Sequence, residues 1–305
     1  MNTNAFFLLA PSILLLPVAI KYRLRNKISS ILIVGLTLPI ILFTWFFGYL
    51  LFPPQLKSKL AGNENSRSVN PSSNFRIMSF NVLFNNKNHS AIVQSIRSSN
   101  PDIIGLQEVQ SHHLKALKQA LIEYPYSVFH PVPKFHNIAL FSRFPIESVT
   151  ILPEQSIERG MSAVVKIQGR SLTVIVAHLT PNYVEPVTFK DYTKLLQSRY
   201  ASRAVEIDYL HQFINLNPHP ATVLCDCNLT DTSQAYPQML KGLSDSFAQV
   251  GWGLGHTFQG EKWKFPLQRL DYVWYTNRLT AIDAYVGTDG GSDHLPLLVD
   301  LQFNQ

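Results

Sequence analysis

Six times along this chain an apolar run of strand length meets a polar, chemically capable residue. That recurrence limits the fold more than any other feature. FRIMSFNV (75–82) reaches Asn81, DIIGLQEV (102–109) reaches Glu108, and SLTVIVAHLT (171–180) reaches His178. ATVLCDCN (221–228) reaches Asp226 and Asn228, RLDYVWYT (269–276) starts around Asp271, and GGSDHLP places Asp293 and His294 just ahead of LPLLVDL (295–301). Two further runs, 137–146 and 162–169, also read as strands, whereas 89–100, 112–123 and 189–214 carry helical spacing, the last with one break. Strands in this number with helices between them predict sheets covered by helices.

Taken singly, each polar residue has an ordinary explanation: Asn81 as a turn cap, Glu108 facing solvent, Asp226 bracing a loop. Their shared position at successive strand ends predicts convergence in one cleft, where such scaffolds carry their chemistry. Gly290 and Gly291 let the backbone turn and approach a ligand, and Pro296 keeps helix out of the segment. The collected residue types suit one task. Hard divalent cations take oxygen ligands, with Mg²⁺ usually held by one or two carboxylates plus water and substrate phosphate. Glu108 and Asp293 are the natural ligands. Neutral amides can donate to phosphoryl oxygens without adding negative charge. A histidine beside a carboxylate can serve as a general base toward water. Together they fit metal-assisted hydrolysis of a phosphoester.

The first fifty residues follow a different pattern. Ala5 to Ile20 is almost wholly apolar, and Ile31 to Phe52 is apolar without a charge, long enough for the ~20 residues that span a bilayer. A cleavable signal peptide is the rival reading of the first run, but MNTNAFF has no Lys or Arg and no convincing small-residue cleavage site follows. The positives Lys21, Arg23, Arg25 and Lys27 lie between the runs, so the connecting loop is expected to face the cytoplasm. The expected organisation is two transmembrane helices within residues 1–52 (about 5–20 and 31–52), a polar linker at 53–74, and a domain at 75–305. That makes a multi-pass protein of the cytoplasmic membrane with its large domain outside.

Partitioning the charge argues against a nucleic-acid protein. Of 26 Lys and Arg and 20 Asp and Glu, residues 1–69 hold seven and one, leaving 19 of each for residues 70–305. The domain therefore lacks the basic excess expected of a phosphate-backbone tracker, which disfavours nucleic acid without removing it. Cys225 and Cys227, the only cysteines, would lie about 6.7 Å apart in an extended strand, near the limit for a disulfide. They read as two buried small hydrophobes.

The set SFNV, LQEV, AHLTPN, CDCN, RLDYVW and GSDHLP resembles the endonuclease/exonuclease/phosphatase superfamily, in the family's order over residues 75–303. The resemblance implies an α/β fold, a four-layered α/β/β/α sandwich of two mainly antiparallel sheets, and Mg²⁺ or Mn²⁺ as cofactor. It implies that Glu108 is the principal metal ligand, helped by Asp293 and by Asn81, which also helps bind phosphate. His178 would contact the scissile phosphate, and Asn182 and Asn228 would bind phosphate oxygens. Asp226 would orient or deprotonate water, Asp271 would orient His178, and Asp293 would pair with His294. Either Asp226 or His294 would remove the proton. CDCN departs from the family's usual GDFN in the flanking residues only.

The tethered layout is similar to membrane-anchored bacterial members of the superfamily. With Trp252, Trp263 and Phe265 in a glycine-interrupted stretch, it favours a lipid-linked or headgroup phosphate as substrate. The alternatives are an extracytoplasmic nuclease and a non-catalytic membrane-tethered binding module.

Overall fold

The computed structural model describes residues 35, 37, 38, 74–131, 137–157, 159–181, 189–260 and 266–304. The expected helix at 5–20, most of the second at 31–52, and the linker up to residue 73 lie outside the described residues, as do Asn182, Trp263 and Phe265. No helix among the described residues is long and apolar enough to cross a membrane. The chain divides into two compact units, and the architecture below belongs to the larger, Ser66–Gly251 with Gly255–Gln305.

Among the described residues of this unit twelve strands form two six-stranded sheets. The first contains β1 (Asn74–Asn81), β2 (Ile103–Gln107), β3 (Tyr126–His130), β4 (Ile138–Ser142), β11 (Leu279–Val286) and β12 (Leu297–Phe303), in the order β11-β12-β1-β2-β4-β3. The second contains β5 (Ile146–Ile151), β6 (Gly160–Ile167), β7 (Arg170–His178), β8 (Ala221–Asp226), β9 (Ser244–Asp245) and β10 (Asp271–Tyr275), in the order β5-β6-β7-β8-β10-β9. Only β1–β2 and β7–β8 pair in parallel; the other neighbours are antiparallel.

Three apolar clusters account for the layering. Ile77, Ile103, Leu140, Val165, Val174, Leu224 and Val273 interdigitate between the sheets. Ile92, Ile96 and Leu117, on helices α1 (His89–Ser99) and α2 (Ser111–Ala120), pack on the outer face of the first sheet with Met78, Ile104 and Phe141. Ile207 and Leu210 of α3 (Phe189–Asn215), together with Met239 of α4 (Tyr236–Met239), cover Ile175, Val223 and Trp274 on the second. Helices on both outer faces make the α/β/β/α sandwich, and a short α5 (Ser246–Val250) sets Phe247 into the cluster between the sheets. Central strands are buried on both faces, which is why β2, β4, β8 and β10 read as continuous apolar runs.

The cysteines depart from expectation. Both are fully buried, but they are joined as a disulfide with Cα atoms 5.0 Å apart. β8 ends at Asp226, so the chain contracts at Cys227 instead of continuing extended, and the distance that disfavoured a bridge no longer applies.

Candidate active site

The parallel pairs explain the convergence. β1 and β2 end at Asn81 and Gln107, β7 and β8 end at His178 and Asp226, and all four ends reach one edge of the sandwich. Antiparallel β10 starts there with Asp271, and the Asp293–His294 segment arrives there ahead of β12. The turns are tight: Leu83, Glu108 and Asn228 all take left-handed backbone, with φ of 61°, 59° and 49°. Non-glycine residues held in this way cluster at functional sites, where the surroundings over-determine them. In the His294 segment Gly291 has φ 82°, and a Cβ on Gly290 would lie 2.8 Å from the Phe80 ring. Glycine is needed at both positions.

Asn81 links the two halves of the site. Its Nδ2 donates to Glu108 Oε1 (3.1 Å) and to Asp226 Oδ2 (2.9 Å), while its Oδ1 accepts from Leu83 N. Glu108 Oε2 accepts from Phe84 N (3.1 Å). Asp226, 2 % exposed, faces two imidazoles: His178 Nε2 at 3.5 Å and His294 Nε2 at 3.8 Å. Its Oδ1 accepts from the backbone of Asn228, whose Nδ2 donates to Leu179 O. His294 Nδ1 lies 2.7 Å from Asp271 Oδ2.

Two pairings differ from expectation. Asp271 holds His294, not His178. His178, Asp226 and Asp271 occupy one row across β7, β8 and β10, which puts Asp271 two strand spacings, about 9.6 Å, from His178. Asp293 does not pair with His294; its Oδ1 accepts from Ser292 Oγ at 3.3 Å and its carbonyl accepts from Gln259 N. His294 is bridged to Phe258 and its ring reaches Asp271, whereas Asp293 lies in the bend just before it.

Burial and charge set the protonation states. Desolvation raises Asp226 to about 7, opposed by His294 and reinforced by Asp271. Burial alone would lower His294, but Asp271 and then Asp226 outweigh it and raise the imidazole to about 10. Burial also raises Glu108, offset by the donors Asn81 and Phe84.

Several supporting residues escaped the sequence reading. Thr257 Oγ1 accepts the backbone N–H groups of Leu270 and Asp271, Gln259 Nε2 donates to Ser292 O, and the Phe258 ring meets His294 edge-on at 5.1 Å. On the other flank Asn86 Nδ2 donates to Gly290 O, and Asn86 O binds His113 Nε2 (2.6 Å). His113 belongs to a histidine cluster with His89 and His112 that has the spacing of a metal site. It does not suit a cation. Gln110 N donates to His113 Nδ1, so both nitrogens of that ring are engaged by backbone. His112 lies between Lys87 Nζ (3.1 Å) and His89 Nε2 (2.8 Å).

Among the described residues Asp226, Asp271 and His294 also have metal-site spacing, but the short Asp271–His294 bond commits those two groups to each other. Glu108 suits a hard cation better. It is a largely buried carboxylate held by neutral donors, it feels the negative charge of Asp293, and no lysine or arginine among the described residues pairs with it.

A metal-assisted phosphoester hydrolase is the class that this fold and site define. The chain belongs to the Endonuclease/Exonuclease/phosphatase family, whose model matches residues 78–294. The family's members are divalent-metal-dependent hydrolases of phosphoester bonds, and this chain is one of them. No curated protein sequence matches it. Solved structures share the fold. An endonuclease/exonuclease/phosphatase from Bacteroides vulgatus is 18 % identical, covering 76 % of this chain and 100 % of that one, with a TM-score of 0.61. The human Nocturnin catalytic domain with bound sulfate is 20 % identical over 76 % and 95 %, with a TM-score of 0.58. A mannosyl-6-phosphatase from Bacteroides thetaiotaomicron is 19 % identical over 75 % and 100 %, with a TM-score of 0.59.

Proposed function

We propose that the chain is a membrane-anchored phosphoesterase that hydrolyses a lipid-linked or headgroup phosphate outside the cytoplasm, with Mg²⁺ or Mn²⁺ at Glu108 and Asp293. The observation that carries the reading is the charge-free apolar run Ile31–Phe52, joined by a polar linker to a catalytic domain with no net charge. A bilayer-tethered hydrolase without basic excess meets phosphates at a lipid surface more readily than on a polynucleotide. Phe84 supports it: its side chain is 41 % exposed while its N–H binds Glu108, so an aromatic ring stands beside the metal carboxylate. Trp252, from the glycine-interrupted stretch, is exposed as well.

In this reading Asp226 is the general base. Its carboxyl, at about 7, is poised to take a proton from water near neutral pH. His294, held as imidazolium by Asp271, stabilises charge developing on the phosphoryl oxygens. His178 and Asn228 complete the phosphate pocket. The cation, when bound, supplies Lewis-acid polarisation of the phosphoryl group.

The test is a turnover panel on the full-length protein in lipid nanodiscs with Mg²⁺, covering glycerophospholipids, sphingomyelin, polyprenyl phosphates and DNA. Metal-dependent phosphate or headgroup release from a lipid, faster than DNA cleavage, is the expected result. Rapid DNA cleavage with every lipid inert overturns the reading in favour of a nuclease. Inactivity on the whole panel that matches an Asp226→Ala variant favours a binding module.

A further inference from the structure

The disulfide lies directly behind the proposed base. Alternation along β8 turns the side chain of Cys225 away from that of Asp226, and Cys227, just past the strand, buries its side chain in the same cluster as Cys225. Both sulfurs belong to the apolar layer shared with Leu179, Tyr272 and Trp274 under α3, and Trp274 Nε1 donates to Cys227 Sγ at 3.4 Å. Asp226 stands on the opposite, cleft side, bonded to Asn81 and facing both imidazoles. Drawing Cα225 and Cα227 to 5.0 Å, against about 6.7 Å for extended chain, puckers the backbone toward the sulfurs and pushes the Asp226 side chain into the cleft. The ladder holds the backbone of Asp226, with Leu179 N donating to its carbonyl and Cys227 N donating to Leu270 O, and it ends there because Asn228 is in left-handed backbone, so the clasp acts at the last paired residues of the strand.

We infer that the Cys225–Cys227 disulfide is a positioning element for Asp226, a covalent clasp on the far face of β8 that sets where the carboxylate meets its water and phosphate. The inference rests on the hydrolase reading and deepens it: turnover depends on the oxidation state of this pair. Opening takes two electrons and two protons from a dithiol, which becomes a disulfide as the cysteines become thiols. An oxidising compartment keeps the clasp closed, in accord with a catalytic domain outside the cytoplasm. Placement at this precision matters because a 1 Å displacement of a reacting group can cost about 10²-fold in rate.

The experiment uses the full-length protein in detergent with Mg²⁺ and bis(4-nitrophenyl) phosphate as the probe, comparing wild type with Cys225→Ala, Cys227→Ala and the double variant. Denatured wild type should take up no alkylating agent before reduction and two equivalents after it. Each single variant should lose roughly 10- to 100-fold in kcat with KM little changed. The double variant should lose no more than either single one, because a ring can be opened only once. Two alkylated thiols in active, unreduced protein overturn the inference, as do single losses that add in the double variant, the mark of packing alone. If the variants do not fold, dithiothreitol titration of wild type in sub-denaturing urea decides: kcat must fall as thiols appear, and constant kcat overturns the inference. A wild type inactive on the probe counts against the hydrolase reading, whereas the alkylation result depends on no substrate.

Discussion

Asp226→Asn should lower kcat by about 10³-fold while raising thermal stability. The substitution preserves shape, and an Asn oxygen can still accept from Asn81, although its NH₂ then faces the Asn228 N–H that Asp226 Oδ1 now accepts, which offsets part of the gain in stability. It removes the carboxylate that faces His178 and His294, and with it the ability to take a proton from water. General-base contributions of 10² to 10⁴ set the scale. Stability moves the other way because the wild-type group is buried and raised from 3.8 to about 7. A raised folded value means that the native state binds this proton more tightly than the unfolded chain does. The group's contribution to stability therefore falls as pH climbs from about 4 to about 7, and the full penalty is present above 7. Asn carries no such penalty. Its advantage, on the order of 1 kcal/mol after loss of the contact with His294, should be largest near pH 8 and vanish below pH 4. Melting curves at both pH values check the sign. In wild type kcat/KM should rise with pH through a limb near 7, moved lower by bound metal, and fall toward 10 as His294 loses its proton. The rising limb should be absent from the residual activity of Asp226→Asn. A variant within tenfold of wild type that keeps this limb would reassign the base to another group.

The interior of the fold was legible because burial on both faces writes itself as uninterrupted apolar sequence. β2, β8 and β10 fall within the apolar runs, and β1, β7 and β12 overrun theirs by only one or two residues. The edges were not legible. β9 has only two residues, and at opposite ends of the first sheet β3 has no buried residue while β11 mixes buried with exposed or half-buried ones, so their apolar signal is diluted. Residues 137–146 read as one strand, yet they comprise the end of one sheet and the start of the other. Ser142 Oγ bonds both the N–H and the carbonyl of Phe144, and Pro145 marks where the chain crosses. The site residues were legible one by one because each ends a run. Their pairing was not, since the partner of His294 is decided by which strand of the opposite sheet lies beneath it. Thr257, Gln259 and Ser292 were invisible for a simpler reason: small polar residues in loops look the same whether they support a catalytic segment or face water.

Glu108→Gln should abolish measurable metal-dependent turnover and weaken Mn²⁺ binding, while the apo fold persists. The carboxylate lies between two donors, Asn81 Nδ2 and Phe84 N, and an amide can satisfy only one of them through its oxygen. Its NH₂ would then oppose the other donor, so the side chain rotates away from a site that a cation needs. Losing the charged ligand forfeits several kcal/mol of Lewis-acid stabilisation, at least about 10²-fold in rate. Water-proton relaxation with Mn²⁺ reads the loss without any substrate. A melting shift on adding Mg²⁺ gives a second reading: wild type should gain stability by linkage and Glu108→Gln should not. Because burial raises the Glu108 carboxyl above its ordinary range, metal must displace a proton on the acid side, so wild-type affinity should climb with pH until that group is fully ionised. Asp293→Asn should be milder. Asp293 is partly exposed, and the Ser292 Oγ that approaches its carboxylate at 3.3 Å also donates to Asn81 O at 2.8 Å, so water can take its place at the cation. Equal Mn²⁺ affinity in wild type and Glu108→Gln would move the cation to the Asp226–Asp271–His294 group, where the Asp271–His294 bond would have to open to admit it.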